Sequence, residues 1–264
     1  MGDPLWERMR ESGRLAGHPV RFLTETDSTN SVALRLAADG VEAGVLVVAE
    51  TQSKGRGRLG RGWSSPMGTG LYCSLILRPI LPLADYPKIT LVAGLGVCRA
   101  LEKVTGCRPG LKWPNDLYLD GRKCGGILTE TGPLTGEARP AVVVGVGLNV
   151  NTEPHGFPES LREKAVSLRM IMGKLEQRGP LLAAIVEEVT ATVRRLEQGD
   201  FSVMLIEWRQ RDIHAGKEVA WVSTQGQVVR GLSLGPDQEG LLHIRDSSGM
   251  VHAVLSGDID QVRK

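Results

Sequence analysis

The sequence is poor in cysteine, with Cys73, Cys98, Cys107 and Cys124 in 264 residues. No two of them form a Cys-x-x-Cys pair and their spacings are irregular, which argues against a zinc site and against a disulfide framework. Reduced thiols in a cytoplasmic setting are the expectation. No uninterrupted apolar run of about 18 residues occurs, so neither a membrane-spanning helix nor a membrane partner is expected. Met1 to Gly13 mixes acids and bases without an apolar stretch, unlike a secretory signal. Charge of one sign is missing too. Lysine and arginine number 32 against 30 acids, a formal net charge of +2. A chain so balanced is not a general polyanion binder, and any anion binding must come from local clustering. Internal repeats and low-complexity tracts are absent.

What is present is ordinary for a globule: 41% apolar and 23% charged residues, enough for one large domain or a large one with a small one. Residues 1–20 read as a helical or irregular lead-in. Ser28-Thr29-Asn30 opens a helix, with Val32, Ala33, Leu36 and Ala37 at helical spacing and Gly40 as the stop. Strands are predicted at 44–50 and 71–78, with a long loop between them, then a helix over 86–106. Further strands are predicted at 111–113, 117–119, 125–130 and 141–150, with Asp120-Gly121 as a hairpin turn. Helices over 181–196 and 201–211 follow. From Lys217 onward short strands alternate with turns at Gln225-Gly226, Gly235-Pro236 and Ser248-Gly249, the pattern of a small β-barrel. The expected organisation is an α+β body over residues 1–214 and a small β domain over 215–264.

The loop carries most of the chemistry. Gln52 to Trp63 holds four cationic side chains, four glycines and no acid. Glycines let backbone N–H groups approach a ligand, and Arg56, Arg58 and Arg61 supply forked donors for phosphate or carboxylate. Such a loop suits a small, multiply charged anion, and its glycines suggest mobility until one binds. Gly55-x-Gly57-x-x-Gly60 also fits a dinucleotide fingerprint, but Ser64-Ser65-Pro66 cannot open the helix that motif needs. Arginine-glycine repeats of RNA-binding segments are longer and lie in tails, and a merely solvated basic loop is the plainer alternative.

Three more motifs stand out. Lys112-Trp113-Pro114-Asn115-Asp116 puts a lysine at a strand end, where it can face a ligand anion or simply sit at the surface beside a turn. Gly125-Gly126-Ile127-Leu128-Thr129-Glu130 begins a strand with bare backbone that a flat ligand can approach, or with a bulge. Gly145-Val146-Gly147-Leu148-Asn149 is similar, with Asn149 offering a polar contact or satisfied by main chain.

In order along the chain, Ser28-Thr29-Asn30, the Gly55–Trp63 loop, Lys112–Asp116, Arg122-Lys123 with Gly125–Glu130, and Gly145–Asn151 resemble the motif series of biotin–protein ligases. The likeness runs from about residue 20 to the C-terminus. Val166-Ser167-Leu168 continues it, with Val166 where the family has threonine. The resemblance implies a mixed sheet flanked by helices, related to class II aminoacyl-tRNA synthetases and lipoate ligases, with a small SH3-like barrel behind it. Only 27 residues precede Ser28, too few for the winged helix of the family's repressor members, so the short form without DNA binding is expected.

The resemblance also implies a two-step reaction using ATP, biotin and Mg²⁺, in which biotinyl-5′-AMP forms and a lysine of a biotin carboxyl carrier protein then takes the biotinyl group. Lys112 and Arg58 would be catalytic. Ser28, Thr29, Asn30, Gln52, Arg56, Gly57, Arg58 and Lys112 would hold biotin, and Arg56, Arg58, Trp63 and Asn149 the adenylate. No residues are assigned to a metal, a homodimer is left open, and the base for the transfer step is unassigned. A carboxylate needs no base to attack phosphorus, but two anions need positive charge to meet. The rivals are a lipoate or octanoate ligase, which would want an apolar tunnel, and a polynucleotide-binding module, which would show strong salt dependence and no ATP turnover.

Overall fold

The computed structural model describes residues 2–133, 139–222, 226 and 228–262. Gln225, half of one expected turn, lies outside the described residues. The chain runs α1 (Pro4–Ser12), β1 (Arg14–Leu15), β2 (His18–Thr26), α2 (Thr29–Ala38), β3 (Leu46–Gln52), β4 (Gly70–Leu77), α3 (Tyr86–Thr105), β5 (Gly110–Lys112), β6 (Asp116–Leu119), β7 (Arg122–Thr131) and β8 (Val142–Asn149). It continues with α4 (Leu168–Met172), α5 (Arg178–Glu197), α6 (Phe201–Gln210), β9 (Glu218–Val222), β10 (Val228–Pro236), β11 (Leu242–Arg245), β12 (Val251–Val254) and β13 (Asp258–Gln261).

Two sheets result. The first has eight strands in the order β1-β2-β3-β4-β8-β7-β6-β5. Only β2 and β3 run parallel, joined through α2 as a parallel pair requires, and the other neighbours are antiparallel. The second sheet has five antiparallel strands, β12-β11-β10-β9-β13. The α+β class expected from the sequence is therefore the observed one.

Strand alternation decides what each face of the large sheet does. Val47, Ile76 and Val143 point to one side and pack with Ala33 and Ala37 of α2. Leu46, Val48, Leu75, Val142 and Val144 point to the other, into the main core with α3 and α5. Each such fully buried side chain contributes roughly 1.5–3 kcal/mol. Helix α3 carries Pro87 in its first turn and ends at Gly106, whose φ of 75° and N–H bond to the Glu102 carbonyl close it in the left-handed cap. Helix α2 is ten residues long and covers only part of its face. Position 147 of β8 shares that face with 143 and 145, and beyond α2 the face borders a cavity.

Some local readings need correction. The lead-in over 1–20 does hold helix α1, but at its end begins β2, a nine-residue strand over His18–Thr26 masked in the sequence by Pro19 and by polar alternation; proline is tolerated there because the strand lies near the sheet edge. Gly235-Pro236 is not a turn. It belongs to β10, at an irregularity between Ser233 and Gly235, and the chain reverses at 237–240 instead, where the Asp237 carboxylate accepts the N–H groups of Glu239 and Leu241. Asp120-Gly121 does form the β6–β7 turn, with φ of 46° and 71°.

The segment leading into the small sheet, and one turn of that sheet, are tied to the large sheet next to the cavity. Leu111 N–H bonds the Arg211 carbonyl at 2.7 Å, and Ile213 N–H bonds the Leu111 carbonyl at 3.0 Å. The buried Trp113 indole N–H reaches the Gly240 carbonyl at 3.0 Å. All four cysteines are free and buried. Among the described residues no helix is long and apolar enough to cross a membrane.

Candidate functional site

A cavity of about 400 Å³ opens between the Gly-Arg loop, α2, the Lys112–Asp116 segment and β13, in the size range of small-molecule sites. Ser28, Thr29, Asn30, Gln52, Arg56, Gly57, Arg58, Trp63, Lys112 and Asn149, every site residue expected from the sequence, border it.

At one end lies a buried polar network. Gln52 Oε1 accepts from Thr29 N at 2.8 Å and from Thr29 Oγ1 at 3.1 Å, while its Nε2 donates to Ser65 Oγ at 2.8 Å. Ser74 Oγ lies 2.8 Å from Thr29 Oγ1 and 2.6 Å from Asn30 Oδ1. The Asn30 amide donates to the Leu128 carbonyl at 3.0 Å and to Glu130 Oε2 at 2.8 Å. Both N–H groups of Asn30 are thus spent on the protein, and its place is to hold the network together. Ser28, at the N-cap of α2, uses its side chain on no helix N–H. Ser65 and Ser74 were not singled out in the sequence; isolated serines carry no pattern there.

The other end is cationic. Lys112 Nζ pairs with Asp260 Oδ1 at 2.9 Å and lies 6.0 Å from the Tyr118 ring centre. Burial disfavours its ammonium, but Tyr118, Asp260 and Asp116 outweigh this and raise the lysine above its ordinary value. Arg58 donates to Asn115 Oδ1 at 3.3 Å. Arg56, on the cavity wall, pairs with Glu130 of β7 and donates to Ser31 Oγ of α2 at 3.2 Å. Lys123, which the sequence reading noted only as part of a motif, pairs with Asp116 Oδ1 at 2.6 Å and lies 5.5 Å above the Trp63 ring.

The loop is a tight hairpin. Gly57 N–H bonds the Arg61 carbonyl at 2.7 Å, Trp63 N–H bonds the Gly55 carbonyl at 2.8 Å, and Arg56 and Gly62 bridge between them. Its arginines are thereby delivered to the cavity rim by regular backbone pairing.

The glycines of β8 have a use that the sequence did not reveal. A Cβ at Gly145 would stand 2.0 Å from Asn30 Oδ1, and one at Gly147 would stand 2.6 Å from Trp63 Cε2. The bare backbone makes room for the protein's own Asn30 and Trp63. Asn149 donates to the Val166 carbonyl at 3.1 Å, so main chain already takes part of its amide. The Trp63 indole N–H is buried without a hydrogen-bond partner among the described residues.

Fold and site together define a pocket for a small molecule that is polar and neutral at one end and anionic at the other. Comparison with known proteins agrees. Residues 22–149 match the model of the biotin/lipoate A/B protein ligase family. The bifunctional ligase/repressor BirA of Bacillus subtilis is 32% identical over 265 residues, covering 96% of this chain and 81% of that protein. The biotin–[acetyl-CoA-carboxylase] ligase of Mycobacterium tuberculosis is 32% identical, covering 98% and 97%. The solved biotin protein ligase of Aquifex aeolicus, in complex with biotin and ATP, superposes with a TM-score of 0.80 at 31% identity, over 92% of this chain and 99% of that one. The chain belongs to the biotin/lipoate A/B protein ligase family.

Proposed function

We propose that this chain is an ATP-dependent ligase that forms biotinyl-5′-AMP and transfers the biotinyl group to a lysine of a biotin carboxyl carrier protein. One observation carries the reading: Lys112 and the arginines of the Gly-Arg hairpin share a single cavity with the buried Thr29–Gln52 network. The related proteins named above as biotin ligases support the choice of acid.

The chemistry follows from the two ends. The ureido ring of biotin, with two N–H donors and one acceptor, suits the Ser28, Thr29 and Gln52 end. Its valeryl chain then leads the carboxylate toward Lys112. That carboxylate, ionised at neutral pH, attacks the α-phosphorus of ATP; a C–O–P bond forms and pyrophosphate leaves. Lys112, Arg58 and Lys123 stabilise the charge growing on phosphate. In the second step the acceptor amine attacks the acyl carbon and AMP leaves. The hairpin, with Arg56, Gly57 and Arg58, shields the adenylate from water. Trp63 and Asn149 border the nucleotide's share of the cavity.

Magnesium fits as a companion of the nucleotide. Asp116 and Asp260, both on the cavity wall, are each engaged by a lysine, so the ion would be held chiefly by phosphate oxygens and water. In this reading residues 1–214 form the catalytic domain in a cytoplasmic enzyme. Residues 215–264 form a small domain that closes one wall with Ile259 and Asp260. A lipoyl or octanoyl acid offers no hydrogen bonds to the Ser28–Gln52 end, which favours biotin.

Exchange of labelled pyrophosphate into ATP tests this reading. Exchange should require biotin, and addition of a carrier domain should yield biotinylated carrier and AMP. Exchange that runs equally well with lipoate, or without any acid, contradicts it.

A further inference from the structure

Three acids stand opposite cations in this site, and they differ in one respect. Asp116, facing Lys123, is 18% exposed, and Glu130, facing Arg56, is 25% exposed. Asp260, facing Lys112, is 85% exposed, while Lys112 itself is 16% exposed. The first two acids belong to the large sheet, in β6 and β7. Asp260 alone of the three comes from the small sheet, 148 residues from its partner. It is carried on β13, where it stands opposite Ala220 of β9.

That asymmetry fixes what each partner can do. A mostly buried ammonium is costly to leave unpaired, whereas a largely solvated carboxylate is cheap to release into water. The pair is therefore poised for exchange, with one carboxylate replacing another on a lysine that stays charged. We propose that Asp260 is a built-in competitor for Lys112, holding the ammonium where the carboxylate of the bound acid must go, and so sets how tightly the site binds that acid. The inference rests on the biotin ligase reading. It makes the small sheet part of substrate selection: the site is neutralised while empty, and an acid earns its place only by displacing Asp260.

The test compares two ligands that differ only in charge. Biotin and biotinol, its uncharged alcohol analogue, are titrated calorimetrically into the wild-type chain and into Asp260→Asn and Asp260→Ala. Removal of the competing charge should tighten biotin about threefold to fivefold, the scale of a partly exposed ion pair, and leave biotinol unchanged. Biotin binding that is unchanged or weaker in the variants overturns the inference, as does an equal gain for both ligands. Should Asp260→Ala lose its fold by thermal denaturation, Asp260→Asn, which keeps the side-chain shape, decides. Failure of the wild type to bind biotin would overturn the ligase reading and this inference with it, whereas normal wild-type binding with unaltered variants sinks the inference alone.

Discussion

The two ends of the cavity are built by opposite means. At the polar end Thr29, Asn30, Gln52 and Ser74 are buried or nearly so, each satisfied by a neighbour from another element. At the charged end, cations meet acids or amides across pairs that are partly open to water, Lys112 with Asp260 above all. A satisfied buried network is rigid and costly to disturb. Exposed ion pairs are weak and exchangeable. Recognition of shape is thus set before the ligand arrives, and charge is supplied by groups that can change partners during the reaction.

The largest expected effect breaks the charged end. Lys112→Ala should remove about 2–4 kcal/mol of transition-state stabilisation, lowering adenylate formation about 30- to 900-fold. Near-normal pyrophosphate release would remove Lys112 from catalysis. Stability should respond at the other end. Asn30→Ala removes one hydrogen bond each from Ser74, the Leu128 carbonyl and Glu130 and should cost about 1–3 kcal/mol in denaturant unfolding. Arg56→Ala, at a side chain 40% exposed, should cost at most about 1 kcal/mol. Equal losses for the two variants would erase the contrast between the ends.

A third effect lies at the joint between the sheets. Burial pushes the Asp212 carboxyl up to about 6 against the pull of the His214 N–H and Lys217, and its Oδ2 is buried without a hydrogen-bond partner among the described residues. The folded chain therefore holds this proton more tightly than the unfolded one. Stability from protonation is complete below the unfolded value of 3.8 and lost as pH rises through about 6. His214, held down to about 4 by burial and by the charges of Lys112 and Lys217, acts in the opposite sense, because its unfolded ring takes up a proton below about 6.5; comparing Asp212→Asn with wild type cancels that contribution and isolates Asp212. Asp212→Asn should thus be about 1–2 kcal/mol more stable than wild type at pH 8, with no gain below pH 4. A gain independent of pH would assign it to packing.

The smallest effect concerns retention. Arg58→Gly removes the hairpin's link to Asn115 and a cation beside the phosphate, and should loosen the hold on the adenylate by at least about 1 kcal/mol. Escaped intermediate would then label bystander lysines, read by mass spectrometry. Labelling confined to the carrier would deny the hairpin its closing role.

Much of the site was legible in sequence because its residues lie in short motifs: Ser28-Thr29-Asn30 at a helix start, Gln52 at a strand end, the Gly-Arg loop, and Lys112 beside a turn. What was not legible is whatever depends on distant chain. Strand β13 is four residues with two acids among them, and only pairing with β9 makes it a strand. Asp260 and Ser74 have no local signature, and Glu130 is visible only as the end of a strand motif, because the partners of the three stand 148, 44 and 100 residues away. Gly145 and Gly147 were visible as glycines, but which group would press against them could not be read before the sheet was folded.

The most direct measurement is a crystal structure with a non-hydrolysable biotinyl-AMP analogue. It should show Thr29, Gln52 and Ser74 in their present arrangement around the bicyclic ring, with Lys112 turned from Asp260 to the acyl and phosphate oxygens. A ligand bound elsewhere, or a Lys112–Asp260 pair still intact beside a rearranged polar network, would contradict the division between a fixed end and an exchangeable one.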